Sequence, residues 1–182
     1  MKRFSAIVGV LGGLAICLAA PVASARADDA RDCVYATNPD RVIAACTAAI
    51  QMPKEDQPPA LARINRAAYY MNRGHAYLEL KKYDAVISDY TTAIELSPNN
   101  GRAYNNRGIA YDEMKDYDRA IADYAKAIEL NPSDYRPYNN RGWAYQAKGD
   151  RESALADYRK ALSLNPGDAR IRANIESLGA QP

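Results

Sequence analysis

The feature that most constrains this chain is a motif that returns at a fixed interval of 34 residues. Its core is Asn-Arg-Gly, followed one residue later by Ala-Tyr, and its glycine falls at Gly74, Gly108 and Gly142. A proline after Leu-Ser or Leu-Asn keeps the same interval. A period of this length indicates a stack of repeated units, in which each unit packs on its neighbours and function lies on a shared surface.

Each repeat predicts two helices that pack closely. A glycine inside a helix costs about 1 kcal/mol relative to alanine, so a close approach of the partner helix must compensate. Aromatic residues recur on both predicted helices. The first helices carry Tyr77, Tyr111 and Tyr145, and the second helices carry Tyr90, Tyr124 and Tyr158. Asn100, Asp134 and Asp168 follow the prolines and are predicted to cap the next helix.

The N-terminus has the pattern of a secretory signal peptide. Lys2 and Arg3 precede an apolar run over residues 7–20, which is too short to span a bilayer comfortably. Small residues allow cleavage after Ala25 or Ala27, and the acidic start of the next segment favours Ala27. We therefore predict a periplasmic or secreted protein without a membrane span after cleavage; a retained anchor is the alternative. Cys17 lacks the preceding small residue of a lipoprotein box and is expected to be discarded.

Two cysteines, Cys33 and Cys46, remain after export. An even pair in an oxidising compartment favours a disulfide over two free thiols. Alignment with the following repeat sets the two cysteines opposite Tyr77 and Tyr90, which are predicted to face each other across a helical hairpin. A redox pair would normally have the Cys-x-x-Cys spacing, which these residues lack.

The charge balance excludes partners that are recognised mainly by opposite charge. The chain has 24 basic and 22 acidic residues, and removal of the signal peptide leaves it close to neutral. We therefore predict no binding to nucleic acid. The 14 tyrosines suit a core in which rings are packed while hydroxyl groups stay wet, so they are not interpreted as a base-stacking surface.

The predicted organisation is a signal peptide over 1–27, a degenerate N-terminal hairpin over 28–53, a loop over 54–59, repeats over 60–100, 101–134 and 135–168, and a capping helix over 169–179. The first helix of the first repeat is expected to be extended. In the capping helix, Ile171, Ile175 and Leu178 form one apolar face, and Arg170, Arg172, Asn174 and Glu176 are expected to face water.

The repeats resemble tetratricopeptide repeats, whose pattern is W-x2-L-G-x2-Y, then A-x3-F, then P. The middle repeat matches it with Tyr104, Gly108, Tyr111, Ala120, Tyr124, Ala127 and Pro132. The resemblance implies an all-α fold, a right-handed superhelical stack of antiparallel helix pairs, with three full repeats, a degenerate N-terminal unit and a capping helix. The chain departs from the pattern at Val86, which replaces an alanine, and at the arginine that stands where leucine is usual.

That arginine occurs together with an aspartate of the second helix in all three full repeats. We therefore predict three ion pairs within repeats, with solvated surface charges as the alternative. The pairs are Arg73 with Asp89, Arg107 with Asp123, and Arg141 with Asp157.

Motifs of catalysis are missing from the mature sequence, which has no P-loop, His-Glu-x-x-His, Cys-x-x-Cys or Gly-x-Ser-x-Gly. His75 is the single histidine and has no ligand cluster or nucleophile in matching repeat geometry. Asp112 and Glu113 are adjacent on a helix, so they point apart and do not form an acid–base pair. We predict no enzyme activity, no cofactor and no metal.

The resemblance also implies where a partner binds. In tetratricopeptide proteins the first helices line a concave groove, and the asparagine before Arg-Gly commonly bonds the backbone of the ligand. That role falls on Asn72, Asn106 and Asn140, while specificity is expected from Asn105, Asn139, Arg102, Arg136, His75, Ile109, Trp143, Asp112 and Gln146. The alternative for the asparagines is that they are solvated. A basic clamp for a terminal carboxylate is only partly present, since Met71 and His75 replace its usual residues.

The sequence thus predicts a protein-interaction module of the cell envelope that binds a peptide segment or a partner protein. A self-associating scaffold is the alternative, joined through its apolar end faces or its long helix, and an enzyme ranks third.

Overall fold

The computed structural model describes residues 29–52 and 59–181, with side chains described from residue 64 in the second range. The predicted signal peptide and most of the predicted loop lie outside these residues. The described chain is helical: residues 29–35 form α1, followed by α2 (Pro39–Gln51), α3 (Pro59–Glu79), α4 (Tyr83–Leu96), α5 (Gly101–Glu113), α6 (Tyr117–Leu130), α7 (Tyr135–Lys148), α8 (Arg151–Leu164) and α9 (Ala169–Ser177). None of the described helices is long and apolar enough to cross a membrane.

The helices stack in chain order, so the fold is the predicted helical solenoid. Three pairs, α3 with α4, α5 with α6 and α7 with α8, form the full repeats, and α2 and α9 pack at the two ends. The first helices also contact one another, α3 with α5 and α5 with α7. They therefore form a continuous row along one side of the stack.

The repeated glycine makes room for the tyrosine ring of the partner helix. A Cβ atom on Gly108 would lie 2.7 Å from Tyr124 Cε1, and the corresponding distance at Gly74 is 3.0 Å from Tyr90. In the third repeat, a Cβ atom on Gly142 would lie 2.9 Å from Tyr158 Cδ1. These three rings are among the largest fully buried side chains. This confirms the close approach that the sequence predicted and identifies the ring that requires it.

The three predicted arginine–aspartate pairs are confirmed. Each guanidinium donates two parallel hydrogen bonds of 2.7–2.8 Å to the aspartate of its own repeat. Each also lies over the rings of two tyrosines on its own helix, 5.4–6.0 Å from their centroids. The aspartates are buried, because the fork geometry of arginine satisfies both carboxylate oxygens.

Two of these arginines also join their repeat to the preceding unit. Arg73 donates to the Thr47 hydroxyl of α2, and Arg107 donates to the Thr91 hydroxyl of α4, at 2.9 and 3.0 Å. The equivalent position before Arg141 is alanine, so the third repeat lacks this bond.

The ends of the helices follow from local sequence. The side chains of Asn100, Asp134 and Asp168 accept a hydrogen bond from a backbone N–H in the first turn of α5, α7 and α9, which confirms their predicted capping role. Inside each repeat the turn between the helices contains one residue with positive φ. Gly149 supplies it in the third repeat, whereas Lys81 and Lys115 adopt it in the first two.

Candidate binding groove

The first helices border an open cleft at the C-terminal half of the stack. Its volume is about 490 Å³, and α5, α7 and α9 supply most of its walls. The lining residues are Asn105, Asn106, Ile109, Tyr135, Arg136, Asn139, Asn140, Asp168, Arg170, Ile171 and Asn174. Six residues of the predicted groove are therefore brought together here, on rigid helices.

A chain of side-chain hydrogen bonds crosses this cleft. Asn140 Nδ2 donates to Asn105 Oδ1, and Asn105 Nδ2 donates to Asn106 Oδ1, both at 3.1 Å. Asn106 Nδ2 in turn donates to the Tyr90 hydroxyl at 2.8 Å. Asn105 is 9% exposed and holds its neighbours in place. Asn140 lines the cleft, and among the described residues its Oδ1 accepts no hydrogen bond.

The capping helix contributes to the cleft in a way that the sequence analysis missed. Asn174 Nδ2 donates to Asn139 Oδ1 at 3.3 Å, and Asn174 is half-buried. The expectation that Asn174 faces water is wrong, because α9 occupies the place of a first helix in a fourth repeat. The signal was available, since Asn174 follows Asn140, and Arg170 follows Arg136, by the same 34 residues.

The first asparagine of the series lies elsewhere. Asn72 Nδ2 donates to the backbone oxygen of Cys33 at 3.1 Å, which ties α1 to α3. It borders a separate cleft of about 340 Å³ together with His75, Ala76 and Val42. His75 is exposed, with Nδ1 3.3 Å from Glu79 Oε1. Asn72 and His75 thus line a cleft that is separate from the asparagine cleft.

The two predicted basic residues border different clefts. Arg136 lines the asparagine cleft and donates to the carboxylate of Asp134 at 2.9 Å, which holds the pKa of that carboxyl below its usual range. Arg102 borders another cleft, beside the turns that precede α5 and α7. Arg102 also lies close enough to Asp134 for its charge to lower the pKa of that carboxyl, so both arginines act on this aspartate.

The residues after the glycine differ in surroundings. Ile109 lines the asparagine cleft, whereas Trp143 is 48% exposed and meets the ring of Tyr117 edge-on, with centroids 6.2 Å apart. Trp143 is therefore a large aromatic side chain that α7 leaves partly open to solvent.

The polar residues at the C-terminal ends of the first helices face tyrosine hydroxyls. Gln146 Oε1 accepts a hydrogen bond from Tyr158 at 2.8 Å. Asp112 lies near the Tyr124 hydroxyl, outside hydrogen-bond geometry, and both Asp112 Oδ1 and that hydroxyl are buried without a partner among the described residues. Burial, with repulsion from Glu113, raises the pKa of Asp112 to about 7.

The two cysteines lie at the N-terminal end of the core. The sulfur atoms of Cys33 and Cys46 are 2.13 Å apart, and both side chains are buried. The pair links α1 to α2, while Asn72 holds the Cys33 backbone from α3. No group of three His, Cys, Asp or Glu residues in the described ranges is arranged to hold a metal ion.

These features define a class of protein, a helical-repeat solenoid with an amide-lined groove along its first helices. The family model for the tetratricopeptide repeat matches the chain three times in succession, at residues 67–100, 101–134 and 135–168. The chain therefore belongs to the tetratricopeptide repeat family, whose domains are protein-interaction modules. No curated protein matches the chain significantly in sequence.

Several solved structures are similar to this chain. The first tetratricopeptide domain of Spaghetti (RPAP3), bound to the HSP90 peptide SRMEEVD, shares 30% identity at a TM-score of 0.61 and covers 62% of this chain and 90% of its own. The second such domain of human RPAP3, in complex with the HSP70 peptide SGPTIEEVD, shares 27% identity at a TM-score of 0.59, with coverage of 62% and 93%. MamA from Desulfovibrio magneticus RS-1 has a TM-score of 0.72 with 18% identity, covers 86% of this chain and 83% of its own, and supports the fold alone.

Proposed function

We propose that this protein is a non-enzymatic interaction module of the cell envelope, and that it binds a peptide segment of a partner protein in the cleft between α5, α7 and α9. The observation that carries the proposal is the cleft itself, which is open and lined by asparagine side chains on rigid helices. The two peptide-bound domains of similar fold support it.

The asparagines are suited to hold a peptide main chain. A side-chain amide can donate to a peptide oxygen and accept from a peptide N–H at the same time. Asn105 orients Asn106 and Asn140 through its two hydrogen bonds, so the ligand meets amides that are already fixed in direction. Such contacts tolerate many ligand sequences, and selectivity then depends on the side chains around them.

The experiment compares the partners captured from envelope extract by the wild-type protein and by an Asn106→Ala, Asn140→Ala double variant. Circular dichroism establishes that the double variant is folded. We expect the captured partners to be lost, while Asn99→Ala, the same change on an exposed turn, retains them. Unchanged capture by the folded double variant would remove the groove as the binding site.

We also propose that the protein is exported and that Cys33 and Cys46 form a disulfide. The signal-like N-terminus supports export, and the close placement of the two buried sulfurs supports the bond. N-terminal sequencing of the mature protein should begin at Asp28. Thiol titration of the denatured, unreduced protein should find no free thiol from these cysteines, whereas two free thiols would contradict the disulfide.

Self-association is a second candidate function, favoured by one observation. Val34, Tyr35 and Ile64 are 50%, 77% and 64% exposed at the N-terminal end of the described stack. Light scattering of the mature protein separates the two functions. A strict monomer at high concentration disfavours the scaffold, and a Tyr35→Ser change should dissolve any oligomer that forms through this end.

A further inference from the structure

The carboxylate of Asp112 is a feature of the middle repeat alone. The equivalent residues, one period before and after it, are Leu78 and Gln146. Asp112 lies near the end of α5 and is half-buried. It therefore marks one place on the row of first helices where the three repeats differ in charge.

The hydroxyl of the second-helix tyrosine has a hydrogen-bond partner in two repeats and lacks one beside Asp112. Tyr90 accepts a hydrogen bond from Asn106, and Tyr158 donates one to Gln146. Tyr124 has no such partner within the described chain, although its exposure is 0%. Buried hydroxyls are nearly always hydrogen-bonded, so a buried hydroxyl that makes no hydrogen bond although a carboxylate lies next to it is unusual.

The two oxygens of Asp112 have different surroundings. Of the two oxygens, Oδ1 is the one that is buried without a partner in the described part of the chain, near the Tyr124 hydroxyl, and the residue as a whole is half-buried. A small rotation of either side chain would let the hydroxyl donate to Oδ1. Oδ2 would then remain as the acceptor for a group that comes from outside.

The surroundings of Asp112 contain negative but no positive groups. Glu113 is its neighbour on α5, Tyr124 approaches from α6, and Tyr158, which is bonded to Gln146 of α7, from α8. Among the described residues, no lysine or arginine pairs with Asp112. Removing a carboxylate from water without a cation is unfavourable, so a positive partner would be stabilising here.

We propose that Asp112 binds a lysine or arginine side chain of the peptide held in the groove. The ammonium or guanidinium group donates to Oδ2, the Tyr124 hydroxyl donates to Oδ1, and Glu113 adds a second negative charge close by. This inference rests on the proposed function and adds to it a preference for partners with a basic residue.

The affinity of a basic peptide for Asp112 should depend on pH. The cation binds the ionised carboxylate, so it lowers the pKa of Asp112 from its value of about 7 in the free protein. Affinity for basic peptides should then be highest above this pKa and fall as the pH drops through it. A neutral ligand would show no such dependence.

The test uses immobilised pools of short peptides with blocked ends. One central position is fixed as lysine, arginine, norleucine or glutamate, and the other positions are mixtures of neutral residues. At about pH 8 we expect the wild-type protein to be retained about tenfold more on the lysine and arginine pools than on the norleucine pool, and this preference should fall at about pH 6.

Asp112→Asn, which keeps the shape of the side chain, should lose the preference and still bind all pools. Asp118→Asn, a change of an exposed aspartate on α6, should keep the preference. Equal retention of the wild-type protein on all pools would overturn the basic preference and leave the proposed function standing, and so would an unchanged preference in Asp112→Asn. Retention on no pool by the folded protein would overturn both.

Discussion

The arginine–aspartate pairs and the groove asparagines repeat equally well in sequence, but they differ in their contacts. Arg73, Arg107 and Arg141 make the same two hydrogen bonds to the aspartate of their own repeat. The asparagines that precede them each bind a different group. Asn72 donates to a backbone oxygen, Asn106 to a tyrosine hydroxyl and Asn140 to another asparagine.

The difference reflects where the partner of each side chain comes from. Arginine and aspartate both lie in one helical hairpin, so the geometry of the hairpin repeats their contact. Asn72 and Asn140 reach residues of a neighbouring unit, and Asn106 reaches a tyrosine of the preceding repeat. A contact therefore recurs in every repeat where both partners lie in one hairpin, and it varies where the partner lies in a neighbouring unit. This holds even though Tyr90 and Asn105 have counterparts in the next repeat.

The largest effect is expected from Asp123→Ala, which breaks one of the uniform contacts. It leaves the guanidinium of Arg107 largely buried without its carboxylate and should lower the free energy of unfolding by about 3–5 kcal/mol. Urea unfolding followed by circular dichroism measures the change. Asp118→Ala, on the exposed side of the same helix, should stay within about 0.5 kcal/mol of the wild type. An unchanged melting temperature in Asp123→Ala would mean that the pair does not stabilise the repeat.

Gly108→Ala should have the next largest effect, because the added methyl group would overlap the buried ring of Tyr124. Overpacking costs about 1–3 kcal/mol, and the gained helix propensity offsets about 1 kcal/mol of it. The net loss is therefore about 0–2 kcal/mol, toward the upper end because the added Cβ would lie 2.7 Å from a buried ring. Gly167→Ala is a control for an added methyl group without a neighbour, since nothing lies within 4 Å of its Cβ. It lies in the turn before α9, so it gains no helix propensity. Equal stability of the two variants would contradict the packing role of the ring.

Thr91→Ala tests the link between repeats. It removes the hydroxyl that accepts from Arg107, and the loss of a hydrogen bond to a charged group, partly offset by better helix propensity, predicts a loss of about 1 kcal/mol. Thr92→Ala is the control on the neighbouring residue, because its hydroxyl bonds only within its own helix, to the Ser88 oxygen. If both changes have the same effect, the hydroxyl of Thr91 does not couple the repeats.

The smallest expected change in the free energy of unfolding is that of Asp112→Asn, and it depends on pH. The pKa of Asp112 is about 7 in the folded protein, above its ordinary value, so the folded state holds an extra proton between about pH 4 and 7. Its contribution to the free energy of unfolding therefore falls as the pH rises through this range and stays low above it. Asp112→Asn removes the dependence, and its advantage over the wild type should grow to about 1 kcal/mol, since solvent screens a half-exposed carboxylate. Unfolding at a series of pH values measures both curves, and parallel curves would contradict the burial of Asp112.

Much of the fold followed from the internal repeat. Arg107 and Asp123 could be paired from the sequence because both recur together, 16 residues apart, in every full repeat. Asn174 was missed because the capping helix was interpreted by its apolar face, although the spacing of 34 residues already marked it as a continuation of the asparagine series. The chain from Asn140 through Asn105 to Asn106 could not be predicted, because an amide can bond any of several neighbours and the choice depends on how two repeats are set against each other.

The amino-acid order alone established the helix pairs, the close approach of a partner helix at each glycine and the ion pairs, since each depends on residues that are close in one hairpin. The arrangement between hairpins decided the rest. It brought α9 into the groove, set Arg102 and Arg136 on different clefts and buried one oxygen of Asp112 beside a hydroxyl without a partner. These contacts join units whose relative placement is set by many small packing interactions, and no single motif in the sequence records the result.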